Sequence, residues 1–237
     1  RAPYRHISDD SFPWRERNFA WQQEQFAERG LDSFVSDDGA SYGPFSLARA
    51  VNRAAELPGK EFTHFLIFGA DHALPTNAEL SDVLHRASGL PESPGWAPVW
   101  SRTKFLSRPA TAAILKGRHS PRDEGLHLAK NVRACPGPTL VSREAFDRSG
   151  GHDERFEGWG GEDLVFRHRL EKLVGPAIPP PDPMASCYTL WHPAGSHRTP
   201  EITKRNRELR NRAYAEIDAL VAESNGEEVT QSDDHGE

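Results

Sequence analysis

Residues 156–170, FEGWGGEDLVFRHRL, set two glycines and two adjacent carboxylates at the mouth of a helical pattern. Acidic residues suit a helix N-terminus on electrostatic grounds alone. A plain cap, however, needs neither a glycine pair nor a tryptophan before it. Glycines allow a ligand to approach the backbone closely, and amides at a helix start favour an anion. In that setting Asp163 has the chemistry of a general base toward a hydroxyl, with Glu162 beside it and Gly161 and Trp159 just before.

A second group of chemically able residues follows two apolar runs. Asp71 and His72 close THFLIFGADHALP, and His192 lies in LWHPAGSHR with His197 further on. A carboxylate and imidazoles are suitable ligands for a divalent cation. The structural alternatives are a strand leaving the core for solvent and a histidine that serves only packing. Asp37 and Asp38 in SDDG offer acceptors to a base or ribose, or form a turn before glycine. Arg118, His119 and Arg122 in KGRHSPRDE suit a diphosphate held from a flap, or a solvated basic loop. Trp96, Trp100 and Trp159 offer faces for a sugar, although tryptophan more often belongs to a core or an interface. No Gly-x-x-x-x-Gly-Lys loop, Gly-x-Ser-x-Gly elbow or His-Glu-x-x-His helix occurs, which removes common nucleotide-triphosphatase and hydrolase readings.

The elements that must position these groups are legible as patterns. Residues 14–30 read as a helix stopped by Gly30, and 31–41 as a short strand running into an acidic turn. Residues 43–59 read as a helix with Pro44 in its first turn. The run FLIF within 63–75 predicts a strand buried on both faces of a parallel or mixed sheet. Residues 88–132 read as loops or a flap, apart from RPATAAILKG, and 137–151 as a strand and short helix. A helix from Glu162 to about Gly175, a strand in MASCYTLWHP and a long charged helix from Pro200 complete the pattern. Alternating strands and helices favour a layered α/β fold with ligands beyond the carboxyl ends of the strands.

The chain has 237 residues and a formal net charge of −6, with 29 basic and 35 acidic side chains. Six of the acidic residues fall in 223–237, so the remainder is electrically balanced. That balance argues against a general nucleic-acid binder, which needs a basic excess. No apolar run has transmembrane length. Two cysteines, Cys135 and Cys187, make no disulfide framework, and a reduced, cytoplasmic setting is the expectation.

At this point GGHDERFEGWGGEDLVFRHRL, residues 150–170, resembles a pattern of GT-A fold glycosyltransferases, in the group of the β-1,4-galactosyltransferases and polypeptide N-acetylgalactosaminyltransferase catalytic domains. PYR at 3–5 is similar to the Pro-Phe-Arg after that group's first strand. FSLARAVNRA is similar to its Phe-Asn-Arg-Ala helix, and FLIFGADHALP to its Asp-x-Asp strand. Two positions depart: Ala70 stands at the first Asp of Asp-x-Asp, and Leu47 where the galactosyltransferase helix carries Arg.

The resemblance implies a GT-A (nucleotide-diphospho-sugar transferase) fold: an α/β architecture with a central mixed, mostly parallel sheet flanked by helices. It implies a catalytic domain over 1–200, with a nucleotide-sugar half about 1–75 and an acceptor half about 76–200. A C-terminal helix over 201–223 and a disordered acidic tail over 224–237 would follow. The activity implied is metal-dependent transfer of a sugar from a nucleotide diphosphate sugar, usually UDP-linked, to a sugar or protein hydroxyl, with Mn2+ or Mg2+. On this reading Pro3, Arg5, Asp37, Asp38, Asn52, Asp71 and Gly161 serve the donor. Trp159 and Glu162 serve the acceptor, Asp71, His72 and His192 hold the metal, and Asp163 is the base of an inverting reaction. The alternatives are a non-catalytic GT-A-like binding domain, a retaining N-acetylgalactosaminyltransferase-like enzyme, and a nucleotidyl- or phosphotransferase using the same Asp and His rim.

Overall fold

The computed structural model describes residues 12–40, 43–88, 95–133, 138–179, 186–193 and 198–231. Helix α1 (Phe12–Glu28) and helix α2 (Leu47–Glu56) precede strand β1 (His64–Ile67) and helix α3 (Asn77–Ser88). Strands β2 (Trp96–Pro98) and β3 (Arg102–Leu106), helix α4 (Arg108–Ile114), strand β4 (Leu128–Arg133), strand β5 (Thr139–Ser142) and helix α5 (Arg143–Ser149) follow. Helix α6 (Glu162–Arg169) widens into a π-type turn over 170–174; strand β6 (Ser186–Thr189) and helix α7 (Pro200–Gln231) end the order.

The strands form two three-stranded sheets, β1-β5-β2 and β4-β3-β6. β5 runs antiparallel to both of its neighbours, β3 is antiparallel to β4, and only β3 and β6 are parallel. Among the described residues the pairing is therefore mainly antiparallel, against the expected parallel sheet. β1 is an edge of its sheet and half-buried along its length, rather than covered on both faces. The continuation of β1 ties the two sheets together. His72 bridges Thr189, Ala73 N–H donates to Tyr188 O at 2.8 Å, and Leu190 N–H donates to Asp71 O at 2.7 Å.

Two further expectations, for residues 88–132 and 31–40, are corrected. Residues 88–132 hold β2, β3, α4 and most of β4, because short strands interrupted by Pro and Arg lack the length that periodicity needs. Residues 31–40 contain no strand; the segment runs as an irregular wall beside α2. Trp96 and Trp100 are core residues, 2% and 4% exposed, with indole N–H groups bonded to Gly175 O and Glu79 Oε1. Helix α7 reaches Gln231, into the stretch expected as an acidic tail.

The site-bearing helix sits on apolar packing. Phe166 and Leu170 pack with Trp96, Val141 and Phe146, against which Phe65 and Ile67 of β1 also lie. Val165 packs with Phe156 and with Leu209, Ala213 and Ile217 of α7. Such buried side chains each contribute roughly 1.5–3 kcal/mol, so α6 is fixed between the first sheet and α7.

Candidate active site

Helices α2, α4 and α5 begin with serines whose hydroxyls accept from Arg49, Ala110 and Ala145 N–H. Helix α6 begins differently. Its cap is Gly161 at φ 106°, with no side-chain hydrogen bond. A Cβ there would stand 2.8 Å from Phe156 Cε1, whereas one on Gly160 would meet nothing within 4 Å. Gly161 is thus required by backbone and packing, and Gly160 leaves open space before the helix mouth.

Glu162 and Asp163 occupy that mouth. Burial, and then the charge of Asp163, push Glu162 up to about 7 against the backbone amides of Glu162 and Gly160. Its Oε2 is buried without a hydrogen-bond partner. Burial likewise raises Asp163, partly offset by its hydrogen bond from Leu164 N–H at 2.8 Å. A carboxylate whose affinity for protons is raised in this way has the property a general base requires. The preceding loop is tied down by α7: Asn206, 2% exposed, donates Nδ2–H to Glu157 O at 3.0 Å and Trp159 O at 3.1 Å. Trp159 itself remains 51% exposed, with the Arg198 guanidinium 4.0 Å over its ring.

The second centre is the turn after β1. His192 Nε2 faces Asp71 Oδ2 at 3.0 Å, and His192 Nδ1 faces Pro193 O at 2.7 Å. Both ring nitrogens face acceptors: Nε2–H can donate to Asp71, and with the proton on Nδ1 instead the Nε2 lone pair and the carboxylate can share a cation. His72 Nδ1 accepts from Gly69 N–H at 3.1 Å, leaving Nε2 as its ligating atom. Burial opposes ionisation of Asp71, but His72, His192 and Arg15 outweigh it and hold the carboxyl below its ordinary range. Burial also lowers His72. Among the described residues no three acidic, His or Cys side chains form a ready cage. The Asp71–His192 pair offers two ligand types that suit a hard or borderline cation.

Helix α1 clamps this turn, a role no sequence motif announces. Gln22, 3% exposed, donates Nε2–H to Gly69 O at 2.7 Å and to His72 O at 2.8 Å. One turn earlier, the fully buried Asn18 donates Nδ2–H to Trp191 O at 3.2 Å. Residues four apart share a helix face, so one helix fixes both segments that supply the Asp and His groups. The signal available was two amides on a helix face between Trp14, Trp21 and Phe26, a position where a surface amide is out of place.

Other expected donor-site residues have structural work. Asp38 is buried and accepts from Ser46 N–H at 3.0 Å, with Arg49 at 3.7 Å. Asp37 accepts from Gly39 N–H at 3.0 Å, closing its turn. Asn52 joins α2 to the loop before α6, bonding the N–H and O of His152 at 2.9 Å each. Arg122 secures the loop after α4, donating to Leu74 O at 3.0 Å and Glu79 Oε2 at 3.1 Å. Pro3, Arg5 and His197 lie outside the described residues.

An apolar cavity of about 380 Å³ lies between α1, α2 and β1, with Val35, Phe45, Leu47, Phe65, Phe68 and Ala70 in its wall. Ala70 precedes Asp71, so the cavity runs up to the turn that carries Asp71 and His72. Asp32, Ser33 and Ser36 contribute its polar groups.

Residues 128–192, from β4 to the histidine of the second centre, match the family model described as the N-terminal domain of galactosyltransferase. This stretch is galactosyltransferase-like. It contains α6 with Glu162 and Asp163, and His192, the residues on which the sequence resemblance rests. No curated protein matches the chain by sequence. Among solved structures it is similar to a Drosophila β1,4-galactosyltransferase 7 mutant in complex with manganese, UDP-Gal and xylobiose, at 18% identity and TM-score 0.47. That match covers 76% of this chain and 63% of the other, so the chain spans less than two thirds of its length. The catalytic domain of the same Drosophila enzyme with xylobiose is similar at 16% identity and TM-score 0.48, covering 87% of this chain and 77% of that one.

Proposed function

We propose that the protein is a metal-dependent glycosyltransferase that moves a sugar from a nucleotide diphosphate sugar, UDP-linked, to an acceptor hydroxyl with inversion. The observation that carries this reading is the α6 mouth: two adjacent carboxylates of raised proton affinity on a glycine-capped helix, within the galactosyltransferase-like segment. Asp163 removes the acceptor proton as the hydroxyl attacks the anomeric carbon. Glu162, protonated over much of the neutral range, donates a hydrogen bond to a donor or acceptor hydroxyl and lessens the charge beside Asp163. Trp159 offers its exposed ring to the acceptor sugar.

Asp71 and His192, with His72 through Nε2, would hold the divalent metal, Mn2+ or Mg2+, which when bound supplies neutralisation of the leaving diphosphate. The aromatic cavity ending at Ala70 suits a planar base beside that diphosphate. Ala70 in place of an acid favours one second reading, a binding domain of the same fold without catalysis. Release of nucleotide diphosphate from UDP-sugars with and without manganese separates the two. Metal-dependent release by the wild type and none by Asp163→Asn supports transfer; no release from any donor supports the binding domain.

A further inference from the structure

Helix α7 presents two opposite faces along its first turns. Asn206, Leu209 and Ala213 are buried under α6 and the 157–159 loop, while Thr203, Lys204 and Arg207 stand on the exposed side. With Arg198, Thr199 and Pro200 these three line an open groove of about 410 Å³. Spacing of three and four residues makes Pro200, Thr203, Lys204 and Arg207 one stripe.

Three cations gather in this groove. Several cations near the site are matched: Arg205 with Glu157 at 3.5 Å, Arg155 with Asp153 at 2.7 Å, Lys172 with Asp218 at 3.0 Å. Arg198, Lys204 and Arg207 pair with no carboxylate among the described residues. Of the flanking acids, Glu201 is engaged with its own backbone N–H and Thr199, and Glu208 follows Arg207 on the exposed side of the helix. Among the described residues of a chain of net charge −6, these three cations therefore share one groove with no carboxylate at ion-pair distance. Arg198 is held over Trp159, so the groove continues into the loop that leads to Glu162 and Asp163.

We propose that this groove binds a negative substituent, a carboxylate or a sulfate ester, on the acceptor saccharide. The inference rests on the transferase reading for the word acceptor, and on the groove alone for the anion. Guanidinium and ammonium groups bind such anions through charge-assisted hydrogen bonds, and Trp159 covers the adjoining sugar ring. The protein thus selects acidic over neutral glycans.

The test titrates the full chain at low ionic strength with three hexasaccharides on one backbone: cellohexaose, its C6-oxidised uronate and its 6-O-sulfate. At least one anionic form is expected to bind about tenfold or more tightly than cellohexaose, two or so charge-assisted contacts being enough. The form with the larger preference identifies carboxylate or sulfate as the source. Lys204→Ala/Arg207→Ala reduces the preference to less than about threefold, and Lys204→Glu/Arg207→Glu reverses it. Equal binding of all three sugars, or a preference unchanged in both double variants, overturns the proposal. Nucleotide diphosphate release without saccharide is followed in parallel. Release with no anion preference rejects the groove alone, and anion preference without release rejects the transferase reading while leaving the groove as a binding site.

Discussion

Asp71 and Glu162 are both partly buried carboxylates at the end of an element, yet their surroundings drive them in opposite directions. Asp71 has His72, His192 and Arg15 around it and stays ionised well into acid. Glu162 has Asp163 beside it and an oxygen with no partner, and it holds its proton to about pH 7. The first arrangement lowers the proton affinity of the carboxyl, so Asp71 is already the deprotonated ligand that a cation requires. The second concentrates negative charge without compensation, which keeps a proton acceptor strong. Burial is common to both; the neighbouring charges decide the outcome.

Removing the base should have the largest effect. Asp163→Asn is expected to lower transfer by about 10³-fold, with donor affinity nearly unchanged in a titration calorimeter. Loss of donor binding instead would give Asp163 a structural role and end the contrast with Asp71.

Two changes at the other centre come next. His192→Ala should weaken manganese binding by at least about tenfold, followed as metal-dependent rise in melting temperature. Gln22→Ala should weaken it by about tenfold and cost about 1 kcal/mol of stability through the lost clamp. The pH profile of single-turnover transfer at saturating metal should stay the same in Gln22→Ala, because the clamp does not touch α6. A shifted profile would mean that the two regions are one coupled unit.

The opposite pKa directions sharpen the comparison without catalysis. Glu162 is raised on folding, so folding takes up a proton between its ordinary value and about pH 7. Its contribution is present at the acid side of that window and lost as pH rises through it. Glu162→Gln should therefore stabilise the metal-free protein at pH 8 relative to pH 5 by on the order of 2 kcal/mol. Asp71 is depressed on folding, so its contribution is present at neutral pH and lost as pH falls below the ordinary carboxylate range. Thermal melts in chelator from pH 3 to pH 8 follow both; wild type and Glu162→Gln losing stability in parallel above pH 5 would contradict the first assignment. The smallest change is at Trp159. Being half exposed, Trp159→Ala should alter stability by less than about 0.5 kcal/mol while raising the acceptor KM.

Much of the site was legible because its residues are concentrated in short signals. GWGGED announced a glycine-capped helix with acids in its first turn, and the ends of two apolar runs announced Asp71, His72 and His192. The supports were not legible. Asn18 and Gln22 act across 173 and 47 residues of sequence, and the aromatic face they share hints at burial without naming what they bond. Asn52 and Asp38 were expected to touch a ligand, and in the structure both bond backbone in neighbouring segments. Both tasks call for a short polar side chain at a buried helix boundary, so residue type cannot tell them apart. The strand pairing was misjudged for a similar reason. An apolar run such as FLIF reports burial, but whether its partner is parallel or antiparallel depends on distant β5.

The central claim is that the two centres together perform metal-dependent sugar transfer, and UDP release from UDP-sugars tests it most directly. With manganese the wild type should release UDP, chelator should stop it, and adding an acceptor saccharide should accelerate it in the wild type but not in Asp163→Asn. Release from no donor, or release that chelator and His192→Ala leave unchanged, would contradict the account.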